Sequence, residues 1–167
     1  MVAESAQGRV ESHLTDLQVA HESLDCDPDL ADTANFCAHY GVALADSCNA
    51  ILVKAKRGGE RYALCLVLAD CKLSNRAIRR VLGTSKASFA TADETRALTG
   101  MVIGGVSPFG LPSELPIFVD ARVFEREVIV VGGGSRALKV RIAPSELHAI
   151  PGLARVEGLA EPLLGSD

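Results

Sequence analysis

The sequence has no long apolar run, and none of its stretches approaches the roughly 20 uninterrupted apolar residues that a membrane-spanning helix needs. Its first residues include acidic side chains and lack the apolar core of a secretory signal. The chain has 167 residues, of which 48% are hydrophobic, and this length can bury roughly 70% of the unfolded surface in one domain. We therefore expect a soluble, cytoplasmic protein of one domain that does not contact a membrane.

Patterns for metal binding, redox chemistry and common cofactors are missing as well. The cysteines are odd in number and form no CxxC pair, which favours buried free thiols in a reducing compartment. The four histidines are scattered, and none lies beside a plausible nucleophile. The chain contains neither the GxGxxG of a dinucleotide-binding fold nor the GK[ST] of a P-loop, so neither of those cofactors is supported.

Positive charge is scarce outside one block of the chain. Residues 1–50 carry one basic and nine acidic side chains, residues 51–90 carry nine and two, and the remainder carry seven and ten, for a net charge of −4. The basic side chains of the block are Lys54, Lys56, Arg57, Arg61, Lys72, Arg76, Arg79, Arg80 and Lys86. This density suits a polyanionic partner, although a solvated helix or hairpin face explains the block equally well.

Helical and strand-like patterns mix without a regular βαβ rhythm, which predicts an α+β fold with a mixed or antiparallel sheet. Helices are expected over Ser5–Leu17, from the N-cap Asp32 to Tyr40, from Ser74 to Leu82, from the capping box Thr91–Glu94 to Thr99, and around Pro144–His148. Strands are expected near Leu17–His21 and over Ile51–Lys56, Arg61–Leu68, Met101–Ile103, Leu115–Val119, Val128–Val131 and Ala137–Ile142, with an edge strand at Leu153–Val156 and loose residues beyond it.

A loop rich in glycine and proline lies between two of these strands, from Gly104 to Gly110. Glycine permits positive φ and close backbone approach, while proline fixes φ, so the loop should be a rigid wall with exposed amides. Such amides are what a carbonyl or a developing oxyanion needs. The run from Gly105 to Phe109 approaches a nucleophile elbow, but it does not end in glycine, and Pro108 has no amide hydrogen to donate. A hydrolase that uses Ser107 as its nucleophile is therefore the least favoured reading.

A second glycine cluster, Gly132 to Gly134, follows a predicted strand and precedes Arg136. Consecutive glycines at a strand end can form an amide nest for an anion, to which an arginine adds charge. A turn that only needs flexibility is the alternative interpretation of this cluster on its own.

The order of these motifs carries a family resemblance. The runs LTG, IGGVSPFG, LPIFVD, VVGGGSRALKV and APSEL occur in that order, and together they resemble the YbaK and prolyl-tRNA-synthetase-associated domain family over roughly residues 30–150. The resemblance implies an α+β domain whose mixed, partly barrel-like sheet is flanked by helices. It also implies a free-standing deacylase of mischarged aminoacyl-tRNA, in which backbone amides and the substrate's own groups position the attacking water. No metal and no organic cofactor are expected.

The resemblance also assigns regions and residues. Residues 1–29 would add a helix, a strand and an acidic loop to the editing-like domain of residues 30–150, and residues 151–167 would add an edge segment and a tail. The catalytic loop would be Gly104, Gly105, Val106, Ser107, Pro108 and Gly110, and the substrate-binding residues would be Asn49, Ala50, Gly132, Gly133, Gly134 and Arg136. The aminoacylated acceptor end of tRNA would be the partner, and the basic block, independently of the resemblance, offers Lys54, Lys56, Arg76, Arg79 and Arg80 to hold it.

One position departs from the family pattern. Most members carry a pocket lysine at the start of the strand after the second helix, and this chain has Ala50 there. Lys54 is four residues further along the strand, roughly 13 Å away, which is too far for a simple replacement. A tRNA- or aminoacyl-binding module of the same fold with weakened catalysis is therefore the alternative function. The sequence leaves open which amino acid and tRNA are recognised, and whether the chain forms a homodimer or associates with an aminoacyl-tRNA synthetase.

Overall fold

The computed structural model describes residues 5–163, which form four α-helices and ten strands in a mixed order. The helices are α1 (Ala6–Asp16), α2 (Thr33–Tyr40), α3 (Asn75–Leu82) and α4 (Ala92–Thr99). The strands are β1 (His21–Asp25), β2 (Cys48–Ala55), β3 (Tyr62–Leu68), β4 (Cys71–Leu73), β5 (Ala87–Phe89), β6 (Ile117–Asp120), β7 (Ile129–Gly132), β8 (Leu138–Ile142), β9 (Ala154–Val156) and β10 (Ala160–Pro162). The α+β class is therefore confirmed.

The strands form three sheets. The largest has the order β5-β2-β3-β6-β9, with β5, β2 and β3 antiparallel and the pairs β3–β6 and β6–β9 parallel. A second, antiparallel sheet has the order β1-β8-β7, and β10 pairs with β4 in a third. A parallel bridge between Ser47 and Val130 joins the first two sheets beside the start of β2. The described strands do not close into a barrel.

Local sequence chemistry explains where most elements begin and end. Ser74 accepts a hydrogen bond from the Ala77 amide at the start of α3, and Thr91 forms the predicted capping box with Glu94 at the start of α4. The β2–β3 hairpin turns through Gly58 and Gly59, which have φ values of 80° and 100°. Asp32 precedes α2 as predicted, but its side chain makes no bond to the helix amides, because it binds Arg136 instead.

The first predicted strand is misplaced by about four residues. Leu17 caps α1, Gln18 adopts a left-handed φ of 58°, and the strand begins only at His21. Its register comes from long-range pairing of His21 with Ile142, which the local sequence does not encode.

A second error is the strand expected at Met101–Ile103, which is absent. The Met101 amide binds the Thr99 hydroxyl, and the Gly105 amide binds the Val102 carbonyl, so the chain turns here instead of extending. The short strands β4, β5 and β10 were not predicted. Strand β10 lies after Val156, where loose residues were expected, and it pairs with β4.

The main hydrophobic core lies between the large sheet, the β1-β8-β7 sheet and the inner face of α1. All five cysteines are buried and free, as predicted. Burial raises the pKa of the Cys65 thiol to about 12. No helix within residues 5–163 is both long and apolar enough to cross a membrane.

Candidate active site

A cleft of about 400 Å³ opens beside the start of β2. It is bounded by the first turn of α2, by the loop after α4, and by neighbouring residues of β7 and β8. Asn49 and Ala50 line it from β2, Gly104 and Val106 line it from the loop, and Gly132 lines it from β7. Three segments that the sequence singled out separately therefore meet at one cavity, whose size suits a small-molecule group.

The two glycine-rich loops pack directly against each other. The Gly134 amide donates to the Gly105 carbonyl at 2.8 Å. A Cβ atom on Gly105 would lie 2.6 Å from the Ser135 carbonyl carbon, and one on Gly132 would overlap the Val106 carbonyl oxygen. Glycine is needed at both positions because backbone fills the space that a side chain would occupy.

Of the six residues predicted to form the catalytic loop, Gly104 and Val106 line the cleft and the other four do not. Ser107 is fully buried, and its hydroxyl accepts a hydrogen bond from the Phe109 amide at 3.1 Å. Pro108 lines a separate cavity of about 160 Å³. The Gly110 amide donates to Nδ1 of His13 on α1 at 2.9 Å, so this end of the loop is fastened to the helix behind it.

The rest of the second glycine loop supports the wall. Gly133 packs against Leu138, and Gly134 approaches the Ala6 carbonyl of α1. Arg136 is a clamp between segments, because its guanidinium donates to the carbonyl oxygens of Pro28 and Ile103 and to the Asp32 carboxylate, each at 2.9 Å.

Asp32 and Arg136 form an ion pair on the cleft side of α2. Arg136 lowers the pKa of Asp32 through its hydrogen bond, so the carboxylate stays ionised and its charge is matched. Arg136 is not among the residues that line the cleft, whereas Asp32 is.

Thr33 and Asn49 supply neutral polar groups. The Thr33 hydroxyl donates to the side-chain oxygen of Asn49 at 2.6 Å. With that oxygen occupied, the Asn49 amide nitrogen keeps N–H donors for a ligand. Ala50 beside it contributes only a methyl group.

Lys139 is a cleft residue that sequence reasoning missed. It lies on β8, lines the cleft, and is only 7% exposed. Its ammonium group donates to the carbonyl oxygens of Ala31 at 2.7 Å and Gly104 at 2.8 Å, and burial lowers the pKa of Lys139. The only available signal was a lysine next to the GGGSRAL run, in a strand position that looks solvent-facing.

Lys54 does not reach the cleft. Its ammonium group forms an ion pair with Glu94 at 2.7 Å, and the Tyr62 hydroxyl donates to the same carboxylate at 2.9 Å. The hydrogen bond from Lys54 is the largest cause that lowers the pKa of Glu94 to about 2.

The predicted basic residues do not line the cleft. Arg76 and Arg80 are exposed on α3, Arg79 is half-buried, and Lys56 is exposed at the end of the β2–β3 hairpin. Helix α3 packs against β5, whose Phe89 lines the cleft and is 54% exposed. Helix α3 therefore adjoins the strand whose Phe89 lies at the rim of the cleft. Within residues 5–163, no three metal-ligating side chains are close enough to hold a metal ion.

Comparison with known proteins gives a consistent result. Residues 27–150 match the model of the aminoacyl-tRNA editing domain family. The uncharacterized protein YwhH of Bacillus subtilis is 25% identical over 138 residues, covering 83% of this chain and 86% of YwhH. The "Putative Cys-tRNA(Pro)/Cys-tRNA(Cys) deacylase EbsC" of Enterococcus faecalis is 24% identical over 87 residues, covering 52% of this chain and 53% of EbsC.

A solved structure shares the fold. It is described as "a putative trans-editing enzyme for prolyl tRNA synthetase", with a TM-score of 0.78 and 22% identity over 93% of this chain and 98% of that one.

Proposed function

Because the chain belongs to the aminoacyl-tRNA editing domain family, we propose that it is a free-standing deacylase that hydrolyses mischarged aminoacyl-tRNA in the cleft beside β2. The observation that carries the proposal is the meeting of both glycine loops at one cleft, and the basic helix α3 packs against β5, whose Phe89 lines that cleft. The cleft would take the aminoacyl ester and the terminal ribose, and α3 would hold the phosphates of the acceptor stem.

The reaction needs only water as co-reactant. The water oxygen attacks the carbonyl carbon of the ester, and the bond from that carbon to the ribose oxygen breaks. A proton from the water passes to the ribose oxygen, so the products are the free amino acid and deacylated tRNA. The cleft favours this chemistry because it offers the Asn49 side-chain amide and the Lys139 ammonium in a partly apolar setting, where hydrogen bonds to a developing oxyanion are strong.

Two contacts would orient the substrate. The exposed ring of Phe89 at the rim offers a surface on which the terminal base of the tRNA can stack. The Asn49 amide, held by Thr33, offers donors to the ribose or acyl oxygens. An aminoacyl-tRNA synthetase, such as a prolyl-tRNA synthetase, would supply the mischarged aminoacyl-tRNA. As part of this function we propose that the protein associates with such a synthetase.

A panel of labelled aminoacyl-tRNAs tests the proposal. We expect the wild-type protein to release at least one amino acid well above the buffer rate. Ala50→Phe should block the release, because the added ring fills the cleft, while tRNA binding persists. Ala45→Phe, which places the same ring in a different cavity, is the matched control and should retain release. If no amino acid is released although tRNA binds, the deacylase function is wrong.

That last result would favour a binding module of the same fold with weakened catalysis. The observation behind this alternative is Ala50, which brings no polar group to the β2 wall. Ala50→Lys separates the two functions: a large gain in hydrolysis supports the binding module, whereas an already active wild type that gains nothing contradicts it.

A further inference from the structure

Lys139 is a charged residue that the fold has removed from water. Its side chain is 7% exposed, and lysine is rarely buried to this extent without a charged partner. Within residues 5–163 the ion pairs involve other residues. The ammonium is held instead by two backbone carbonyls and lies 5.4 Å from the centre of the Phe36 ring. These contacts replace its hydration only in part.

The charges nearby do not neutralise it. Asp32 is the carboxylate that lines the same cleft, and it is already paired with Arg136 at 2.9 Å. The neighbouring thiols of Cys26 and Cys37 are neutral, since burial raises the pKa of both. The cleft therefore keeps one uncompensated positive charge, a costly arrangement of the kind found at functional sites.

The ammonium also has unused bonding capacity. A lysine ammonium has three N–H donors and no acceptor. The described contacts use two of them, one to Ala31 before α2 and one to Gly104 in the first glycine loop. Those two bonds fix the ammonium between the segment before α2 and the first glycine loop, and the third donor is free for an oxygen atom of a ligand in the cleft.

We propose that Lys139 donates this third N–H to the acyl carbonyl oxygen of the ester, which makes it the charged substrate contact of the cleft. The inference rests on the deacylase function proposed above. An N–H donor that carries a positive charge polarises the carbonyl and binds more strongly as water adds and negative charge builds on that oxygen. When the bond to the ribose breaks, the carbonyl forms again, and Lys139 keeps its proton throughout.

A comparison of two ligands isolates this contact. The first probe is 3′-(L-alanylamino)-3′-deoxyadenosine, which carries a non-hydrolysable acyl carbonyl with the smallest chiral side chain. The second is 3′-O-(2-aminopropyl)adenosine, in which a CH₂ group replaces that carbonyl and an ether oxygen replaces the amide nitrogen. Binding of both probes to the wild-type protein, Lys139→Met and Arg141→Met would be measured by calorimetry. Arg141 is the matched control, because it lies on the same strand, pairs with Glu22 and does not line the cleft.

The proposal expects Lys139→Met to weaken the amide probe by about tenfold to a hundredfold, the usual range for a hydrogen bond from a charged donor. The affinity of Lys139→Met for the ether probe should change by less than about threefold, and Arg141→Met should change the affinity for neither probe. An equal loss for both probes would mean that Lys139 only ties the walls together, and it would overturn the proposal. A wild-type protein that prefers neither probe would overturn it as well.

A second variant and a parallel hydrolysis measurement make the result unambiguous. If Lys139→Met does not fold, Lys139→Gln takes its place, because glutamine retains an N–H donor without the charge and should give an intermediate loss for the amide probe only. Hydrolysis of the aminoacyl-tRNA panel by the wild-type protein is measured in parallel. Absence of hydrolysis removes the deacylase function itself, whereas hydrolysis with unchanged probe affinities in the variant removes only the role of Lys139.

Discussion

The ammonium groups of Lys54 and Lys139 lie in different surroundings. Lys54 meets the Glu94 carboxylate, in a pair whose side chains are 27% and 25% exposed. Lys139 meets carbonyl oxygens inside the cleft. The first arrangement neutralises both charges at a partly buried site, and the second leaves a charge available to a ligand. Lys54 is therefore suited to stabilising the fold, and Lys139 is suited to binding a ligand.

The Glu94 carboxylate should make stability depend on pH. Its pKa is lowered from 4.5 to about 2 in the folded protein, so its contribution is complete above about pH 4.5 and is lost as the pH falls towards about 2. We expect Glu94→Gln to lower the unfolding midpoint at pH 7, and the gap from wild type to close over that range. Thermal unfolding followed by circular dichroism measures this gap.

Glu157→Gln provides the control. Glu157 pairs with Arg155 at a site where the glutamate side chain is 82% exposed, and such a pair contributes little to stability. A gap for Glu94→Gln that stays constant from pH 7 to pH 2 would contradict the assignment.

At the scale of elements, the cleft wall is made by two loops that exclude side chains from their contact. Gly132→Ala should force the loops apart, because the new methyl group overlaps the Val106 carbonyl oxygen. We expect a loss of about 1–3 kcal/mol in the free energy of unfolding, as for other overpacked sites, together with reduced deacylation. Urea denaturation and single-turnover hydrolysis measure the two effects.

Gly41→Ala is the comparison for this variant. Its φ of 71° makes alanine strained, but an added Cβ meets no atom within 4 Å, and the residue ends α2 instead of lining the cleft. It should cost about 1 kcal/mol or more of stability without changing hydrolysis. If Gly132→Ala is as active as Gly41→Ala, close contact between the loops is not needed for the reaction.

The basic helix leads to a prediction about tRNA. If Arg76, Arg79 and Arg80 grip phosphates, replacing all three by glutamate should weaken tRNA binding and flatten its dependence on salt, by a slope of roughly 0.9 for each lost phosphate contact. Filter binding at several salt concentrations gives both quantities. Arg155→Glu alters an exposed charge that belongs to β9 and should leave the slope as it is. Unchanged binding in the triple variant would mean that the arginines are only a solvated face.

What the sequence predicted depended on how local the signal was. The caps of α3 and α4, the hairpin and the order of motifs are written in neighbouring residues, and the family resemblance is confirmed by the match over residues 27–150. The strands β4, β5 and β10 were missed because their existence depends on distant partners. Lys139 was missed for the same reason. Leu138, Val140 and Ile142 alternate with it, so position 139 resembles an exposed strand position until α2 and the loop cover it.

At the scale of the whole molecule, the C-terminal segment is fastened to the centre of the chain. Leu159 is fully buried in the main core, and β10 after it pairs with β4. Leu159→Ala should lower the free energy of unfolding by about 2–5 kcal/mol, because it leaves a cavity. At this chain length the midpoint should fall by roughly 2–4 °C per kcal/mol.

Leu163→Ala serves as the reference, since that side chain is 40% exposed and its loss should change stability by less than about 0.5 kcal/mol. Calorimetry of both variants makes the comparison. Equal midpoints would show that the C-terminal segment is not part of the cooperative unit.

Helix α1 lies outside the family-matched residues, yet it touches both loops of the cleft wall. His13 accepts a hydrogen bond from the Gly110 amide. Gly134 packs against Ala6 and Val10, and Gly110 packs against Val10. Strand β1 likewise completes the sheet that carries Lys139. Trimming this protein to residues 27–150, or transplanting that segment into another chain, would separate the cleft wall from the residues that support it. A segment that keeps both the cleft wall and the elements that support it has to include α1 and β1, and is therefore longer than the segment by which the family is recognised.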